Sequence, residues 1–562
     1  MAAAGLARSL RHAPRPDLRA AARLADSLNA RYLGLGTPLH LAVLSAAALA
    51  FYLAPGTLAS LACLGLLFLA MLPRPDLGLA LVAFSLPFFL LPKVLLGRTI
   101  SLTEVNLVLV ALAYVVRRGL VLAGAFGQHQ PSGRVTWLDR AAWLLTGMAL
   151  LAGLLTVAPF ANTGVLAATD WPTQTLLLLP LAGVLAVFAQ AREEGHPLMG
   201  TTRGLDLGVL ALVVLSLAAT LAAQNFGVSL QEFHVVVWDG AAFYVFVRLA
   251  RGSPQVNAER LAWRLADAFL LGASLMALYA IYQFFFTDQA ITAEGVHRAL
   301  GVYGSPNNLA LLLDRAAPIL LAVVVAASPR PASAQEGAAR RLHLRRVLYG
   351  LCLIPVLLAI LLTFSRGALL LGLPAAFLFI GIVRGGRVLW GMLGATLLAL
   401  LGLIPFLGTE RFRSMLDLHS GTGFFRLRLW QSAWAMLRDH PWLGVGLDNF
   451  LYEYRTRYIL PDAWQEPNLS HPHNILLDFG TRLGLGGIVV LGWLQVAFWR
   501  LAWHDYRRHP QAGVSALRLG LMASMVATLA HGLLDNSFFL VDLGFIFLLT
   551  LGLVARLAAA SE

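Results

Sequence analysis

Cysteine is almost absent: Cys63 and Cys352 are the only two in 562 residues, and both fall inside apolar runs. They can build neither a disulfide framework nor a cysteine metal site, and they say nothing about redox compartment. Charge is scarce as well. Only 13% of residues are charged, against about a quarter in a soluble chain. Lys93 is the sole lysine. A chain that is 58% hydrophobic, with mean hydropathy +0.73, cannot hide its apolar surface in a soluble core. Lipid has to be the solvent for much of it. The arginine-rich N-terminus (Arg8, Arg11, Arg15, Arg19, Arg23, Arg31) lacks an early apolar core with a small-residue cleavage site. It reads as a cytoplasmic tail, not a signal peptide.

What the chain does have is arginine, which carries a net charge of +13. A basic balance can signal nucleic acid. Here the arginines sit in short loops between apolar runs, as the positive-inside rule requires, so a nucleic-acid partner is not expected. Sixteen such runs recur between Thr37 and Leu557, near 37–53, 56–73, 77–97, 101–116, 140–157, 173–191, 205–222, 234–249, 262–284, 307–326, 347–364, 368–383, 388–407, 480–500, 516–533 and 540–558. Each is long enough to cross a bilayer as a helix. With the N-terminus inside, arginines mark alternate loops along the whole chain, including Arg330 to Arg346. Lys93 and Arg98 are the exceptions, on a short outer turn.

The expected fold is therefore all-α: a polytopic integral membrane helix bundle of about 12–16 spanning helices with a large helical periplasmic loop. We divide the chain into a basic cytoplasmic tail (1–36), N-terminal membrane helices (37–284), central helices (285–407), the large loop (408–473) and C-terminal helices (474–562).

That loop is out of scale, and long ordered loops on one face of a bundle are more often functional than connecting. Within Arg426 to Arg438, the residues Leu427, Trp430, Ala433, Trp434 and Leu437 follow helical spacing, which predicts an amphipathic helix. His440-Pro441 ends it, and Gly444-Val-Gly446 turns the chain.

The notable polar residues of the C-terminal half, apart from the arginines of the cytoplasmic loops, map to the outer face. Arg366 lies in Thr363-Phe-Ser365-Arg366-Gly367, where two apolar runs meet. An arginine there is either a snorkelling side chain or a functional one. Arg298 precedes Gly301-Val-Tyr-Gly-Ser-Pro306-Asn307-Asn308. Arg426, Arg428, His471 and His473 belong to the loop, and Asp535 and Asn536 lie between the last two helices. No acidic pair or His/Cys cluster has persuasive metal-ligand spacing, so no metal or cofactor is expected. Trp430, Trp434, Trp442, Tyr452, Tyr454, Tyr458 and Trp464 suit packing and the interfacial aromatic belt. Aromatic faces also suit sugar rings, which makes Tyr452 and Tyr454 acceptor-site candidates.

The strongest signal is His473-Asn474, nine residues, then Gly484-Leu-Gly486-Gly487. Alone, the histidine reads as an interfacial side chain and the glycines as close helix packing. Together they resemble the O-antigen ligase/polymerase superfamily, whose motif is filled at every position. Ser365-Arg366-Gly367 looks like the family's active-site arginine. Arg426-x-x-x-Trp430, followed by Asp439-His-Pro441-Trp-Leu-Gly444-Val-Gly446, looks like the arginine–tryptophan helix of its periplasmic loop, and Arg298 through Asn308 resembles an upstream segment. The similarity runs from about Arg298 to Asp535.

The resemblance implies a metal-independent, inverting glycosyltransferase of the bacterial inner membrane with its site facing the periplasm. Its donor would be a glycan on polyprenyl pyrophosphate, and its acceptor a hydroxyl of a glycan, lipid or protein. Arg366 and Arg426 would clamp the pyrophosphate, since arginine presents a fixed fork of donors. His473 would be the general base, with His471 its rival. Arg298, Arg428, Asn474, Trp430, His471, Tyr452 and Asp535 are expected to bind substrate. Ligase and polymerase differ only in acceptor, and the filled motif leans toward ligase. The other class to weigh is a transporter, which should show paired half-length helices and midplane charges in symmetric halves; the sequence shows neither.

Overall fold

The computed structural model describes residues 27, 29–95, 98–123, 135–157, 177–195, 200–250, 256–293, 296–326, 336–402, 404, 421–509 and 512–561. Most of the basic N-terminal tail, residues 330–335 of the Arg330–Arg346 loop and residues 408–420 of the long loop lie outside this set. The protein is an all-α polytopic membrane helix bundle. Each of the sixteen apolar runs contains a helix. Among the described residues eight helices are long and apolar enough to cross a membrane, and five apolar helices are shorter.

The chain divides into two compact units, residues 1–77 with 108–196 and residues 78–107 with 197–562. In the first, Thr37–Leu53 packs on Gly56–Met71, and Trp137–Val157 packs on Leu178–Glu193 through Ala142, Ala182 and Ala186. Its buried charges are paired, Arg74 with Asp76 at 3.0 Å and Arg118 with Asp139 at 2.9 Å and with Glu193. A charge taken out of water persists only with such partners.

The second unit holds every candidate site residue. Its centre is the Pro306–Val324 helix, buried on nearly every face between Glu336–Thr363 and Ala512–Gly532. Ser305 caps it, the hydroxyl accepting from Asn307 N, and Pro306 fits the first turn because that N–H would be orphaned anyway. The Val541–Ala559 helix, almost wholly buried, packs on Asp239–Leu249. The Ile475–Arg508 helix packs on Arg203–Ala222 and on Gly421–Asp439.

Three expectations change. The run at 77–97 stops being helical by Phe88, and Lys93–Leu95 pairs antiparallel with Arg98–Ile100. A similar hairpin joins Ile291–Ala293 to Val296–Arg298. Pro87 and Pro92 bracket that helix end, where a missing N–H and a ring clash disfavour continuation. Among the described residues the loop helix spans Gly421–Asp439, and its packed face is Leu429, Ala433, Met436 and Leu437; Leu427 and Trp434 are exposed. Apolar residues surround this helix, so periodicity alone misplaced the stripe. The helix expected at 480–500 starts five residues earlier, because the Asn474 side chain accepts from Leu476 N and Leu477 N and caps it.

Candidate active site

Four pieces of chain distant in sequence meet at one cavity of about 220 Å³. The first is the turn after Glu336–Thr363, which presents Ser365-Arg366-Gly367. The second is the start of the Gly421–Asp439 helix, with Thr422 and Arg426. The third is the segment ending in His473, and the fourth is the end of the Ala512–Gly532 helix, with His531 and Asp535. Arg298 and Asn307 complete the wall.

Local geometry explains why these side chains turn inward. Phe364 and His473 have φ near +48° and +49°, left-handed values that are costly for residues with a Cβ. One precedes Ser365-Arg366 and the other precedes the helix cap Asn474, so each strained residue directs a motif into the cavity. Strain of about 1–3 kcal/mol at such a position persists only where surrounding contacts over-determine it. Those contacts are present. Arg298 donates from Nε to Thr363 O at 2.7 Å and from Nη2 to Asn307 Oδ1 at 2.9 Å, holding the carbonyl end of one helix and the start of another. Trp430 Nε1 donates to Pro472 O at 2.9 Å, and Asn474 Nδ2 to Leu533 O at 3.1 Å, fixing His473 from two sides.

The motif glycine acquires a physical reason here. Gly484 lies inside the Ile475–Arg508 helix but has φ +68°, and the helix kinks there. The 441–445 strap crosses at the kink: Leu485 N donates to Pro441 O at 2.8 Å, and Val445 N to Thr481 O at 2.8 Å. A Cβ at Gly484 would fall 2.5 Å from Trp442 C and O. The spacing from His473 to Gly484 thus sets where the loop straps the helix.

His473 Nδ1 lies 2.7 Å from Asp535 Oδ1. A carboxylate only accepts, so Nδ1 carries the proton and Nε2 is left as a proton acceptor. Asp535 is buried, and burial alone would raise its carboxyl; His473 and His471 outweigh that and hold it well below the usual carboxylate range. His471 stacks edge-on against His473 and sits 3.6 Å from Asp535. Burial, then the neighbouring His473, push the His471 imidazole below its ordinary value. The donor atoms of His471, His473 and Asp535 lie within 4.8 Å of one another, a grouping that could hold a metal ion and that sequence spacing concealed.

Arg366 Nη2 donates to Thr422 Oγ1 at 3.2 Å. Arg426 makes no hydrogen bond or ion pair with a described residue, although it lines the cavity. The other sequence candidates stand elsewhere. Arg428 pairs with Asp462 at 2.6 Å, Tyr452 is exposed, and Trp430, Asn474 and His471 contact the segment that carries His473 without lining the cavity. Sequence reading passed over His531, Asp314, Thr422 and Glu466. The signal for the first two was an ionisable residue within an apolar helix.

Fold and site together define a multi-pass membrane protein with a cationic, histidine-bearing cavity. Residues 351–492 match the family model described as O-antigen ligase. This supports a lipid-linked glycan ligase or polymerase kind of function. The matched segment contains Arg366, Arg426, His473 and Gly484, whereas Arg298, His531 and Asp535 reach the cavity from outside it. Comparison with curated proteins finds no match.

Proposed function

We propose that the protein transfers a glycan from a polyprenyl pyrophosphate donor to an acceptor hydroxyl, on the outer face of the bacterial inner membrane. The observation that carries this reading is the convergence of Arg366, Arg426 and the His473–Asp535 pair on one cavity. The pyrophosphate carries several negative charges beside a low-dielectric membrane. Arg426 has no described partner to give up, and Arg366 already reaches across to Thr422, so both guanidiniums suit that group. The acceptor oxygen attacks the anomeric carbon as the bond from that carbon to the phosphate oxygen breaks. The electron pair leaves with the pyrophosphate, and the acceptor proton passes to His473 Nε2. Direct displacement inverts the anomeric centre. Each of these steps is carried by arginine and histidine side chains, without a metal.

Orientation follows from the arginine alternation, which sets the 421–473 segment outside. An O-antigen ligase-like acceptor, such as a sugar, a lipid or a protein hydroxyl, is the reading we prefer to polymerisation of lipid-linked repeats. The test is transfer from a defined undecaprenyl-pyrophosphate-linked glycan to candidate acceptors, with His473→Ala in parallel. We expect wild-type transfer and a loss of about a hundred- to ten-thousandfold in the variant. Equal transfer by both would remove His473 as the base.

A further inference from the structure

The His473–Asp535 pair is not the only imidazole–carboxylate pair at this cavity. His531, in the last turn of Ala512–Gly532, lines it next to Gly367 of the Ser365-Arg366-Gly367 turn. Its Nδ1 lies 2.6 Å from Asp314 Oδ2 on the central Pro306–Val324 helix. Both residues are buried, at 1% and 0% exposure. Because a carboxylate only accepts, Nδ1 carries a proton and Nε2 is the ring atom left to act. Nε2 makes no hydrogen bond among the described residues.

The ring edge bearing Nε2 is turned toward the arginine motif. A Cβ at Gly367 would fall 2.5 Å from His531 Nε2, so the glycine of Ser365-Arg366-Gly367 is what lets the imidazole approach the turn. Directly after it the helix widens into a π turn over Ala368–Gly372, a distortion common at functional sites. Joining three helices does not require an ionisable pair. Neutral side chains would do so without the desolvation cost, which makes a buried charge at membrane depth a functional candidate.

We propose that His531, oriented by Asp314, is a catalytic residue on the leaving-group side of the cavity. With Nδ1 engaged by Asp314, it donates Nε2–H to the pyrophosphate oxygen that receives the electron pair when the bond to the anomeric carbon breaks. The proton stays on His531, while the acceptor proton ends on His473. The two pairs thus divide the reaction, one serving the incoming oxygen and the other the departing one. This role rests on the transfer reaction proposed above.

Two isosteric variants separate chemistry from structure. An asparagine amide nitrogen sits at the Nδ1 distance from the backbone, and a glutamine amide nitrogen sits near Nε2. His531→Asn should therefore keep the bond to Asp314 and the melting temperature, yet lose about a hundred- to thousandfold in kcat, with donor KM changed far less. His531→Gln should melt lower but keep turnover per folded molecule within about tenfold of wild type. Asp314→Asn, which removes only the charge, should also lower kcat while the protein stays folded. Turnover is measured with an undecaprenyl-pyrophosphate-linked glycan in the full-length protein. Wild-type kcat in His531→Asn or Asp314→Asn overturns the role, and so do losses in the two His531 variants that merely track the folded fraction. A wild-type protein that transfers nothing sinks the reaction itself and this role with it. An active wild type beside an unimpaired His531→Asn sinks this role alone.

Discussion

Replacing Asp535 by asparagine changes one charge and almost no volume, and it tests the site more sharply than removing His473. The carboxylate lies 2.7 Å from His473 Nδ1 and also accepts from Asn536 N at 2.9 Å. With asparagine there, the amide can donate to Nδ1 instead. The ring proton then moves to Nε2, and the lone pair needed to take the acceptor proton is lost. A hydrogen bond to a charged group contributes about 1.5–3 kcal/mol, and the wrong tautomer adds to the deficit. At about 1.4 kcal/mol per tenfold, transfer should fall about a hundred- to ten-thousandfold. His471→Ala is the control, because His471 stands 3.6 Å from the same carboxylate and off the cavity wall; a loss under about tenfold is expected. The pH dependence has a definite sign. The folded carboxyl is held below its unfolded value of about 3.9, so its stabilising contribution is complete above that value. It is lost only as pH falls through the depressed folded value. Activity lost between about pH 5 and 7 therefore does not come from protonating Asp535. The assay is transfer by purified protein in lipid nanodiscs, with thermal melting as a check on folding. Asp535→Asn with wild-type turnover would refute the dyad.

Arg366→Ala and Arg426→Ala should each cut transfer by about a hundredfold or more and weaken binding of undecaprenyl pyrophosphate, with lysine restoring only part because it lacks the planar fork; near wild-type transfer in both would refute the clamp. Arg428→Ala, which breaks a half-exposed pair with Asp462 and a hydrogen bond to Gln431, should leave donor binding unchanged in the same measurement. Gly484→Ala should lower the melting temperature in detergent, since an L-residue in the left-handed region costs about 1–2 kcal/mol and its Cβ meets the Trp442 carbonyl; an unchanged melting curve would show that the strap is not fixed by this kink.

How much of this was legible beforehand depended on whether the information was local. Helices announce themselves through runs of apolar residues, and all sixteen runs contain one. Arg366, Arg426 and His473 were legible because each sits in a short motif, and the cavity brings the three together. The phase of the 421–439 helix was not legible, because Trp434 fits an apolar stripe on paper yet stands exposed. The two hairpins were hidden because three-residue strands are too short to show a period. Asp535 was read as a substrate contact, and its bond to His473 spans 62 positions. His531 and Asp314 are 217 positions apart and looked like isolated polar residues inside helices. Pairings of that range are set by which helices pack together, and no local pattern encodes them.

The distribution of arginines inside the second unit gives the site its logic. Irregular backbone at membrane depth leaves carbonyls without water, and each unsatisfied group is costly. Arginine, with five donors in a rigid fork, can satisfy several at once. Arg315 does this from the central helix, donating to Leu543 O at 2.8 Å and to Ser537 O, and so pins the turn that carries Asp535. Arg298 does it for the turn that presents Arg366. Arg482 bonds Asp478 at 2.8 Å and Glu232, and lies over Phe539. These guanidiniums are committed to loops and counter-charges, and replacing any of them should loosen the scaffold before it touches chemistry. Arg426 is the contrast. It lines the same cavity, at the start of the helix face whose later turns, Leu429, Ala433 and Leu437, are packed, and makes no ion pair with a described residue. A rigid site that holds its other arginines in internal bonds and leaves this one facing the cavity is preorganised for an anionic ligand, so binding it requires no bond between Arg426 and a described residue to break.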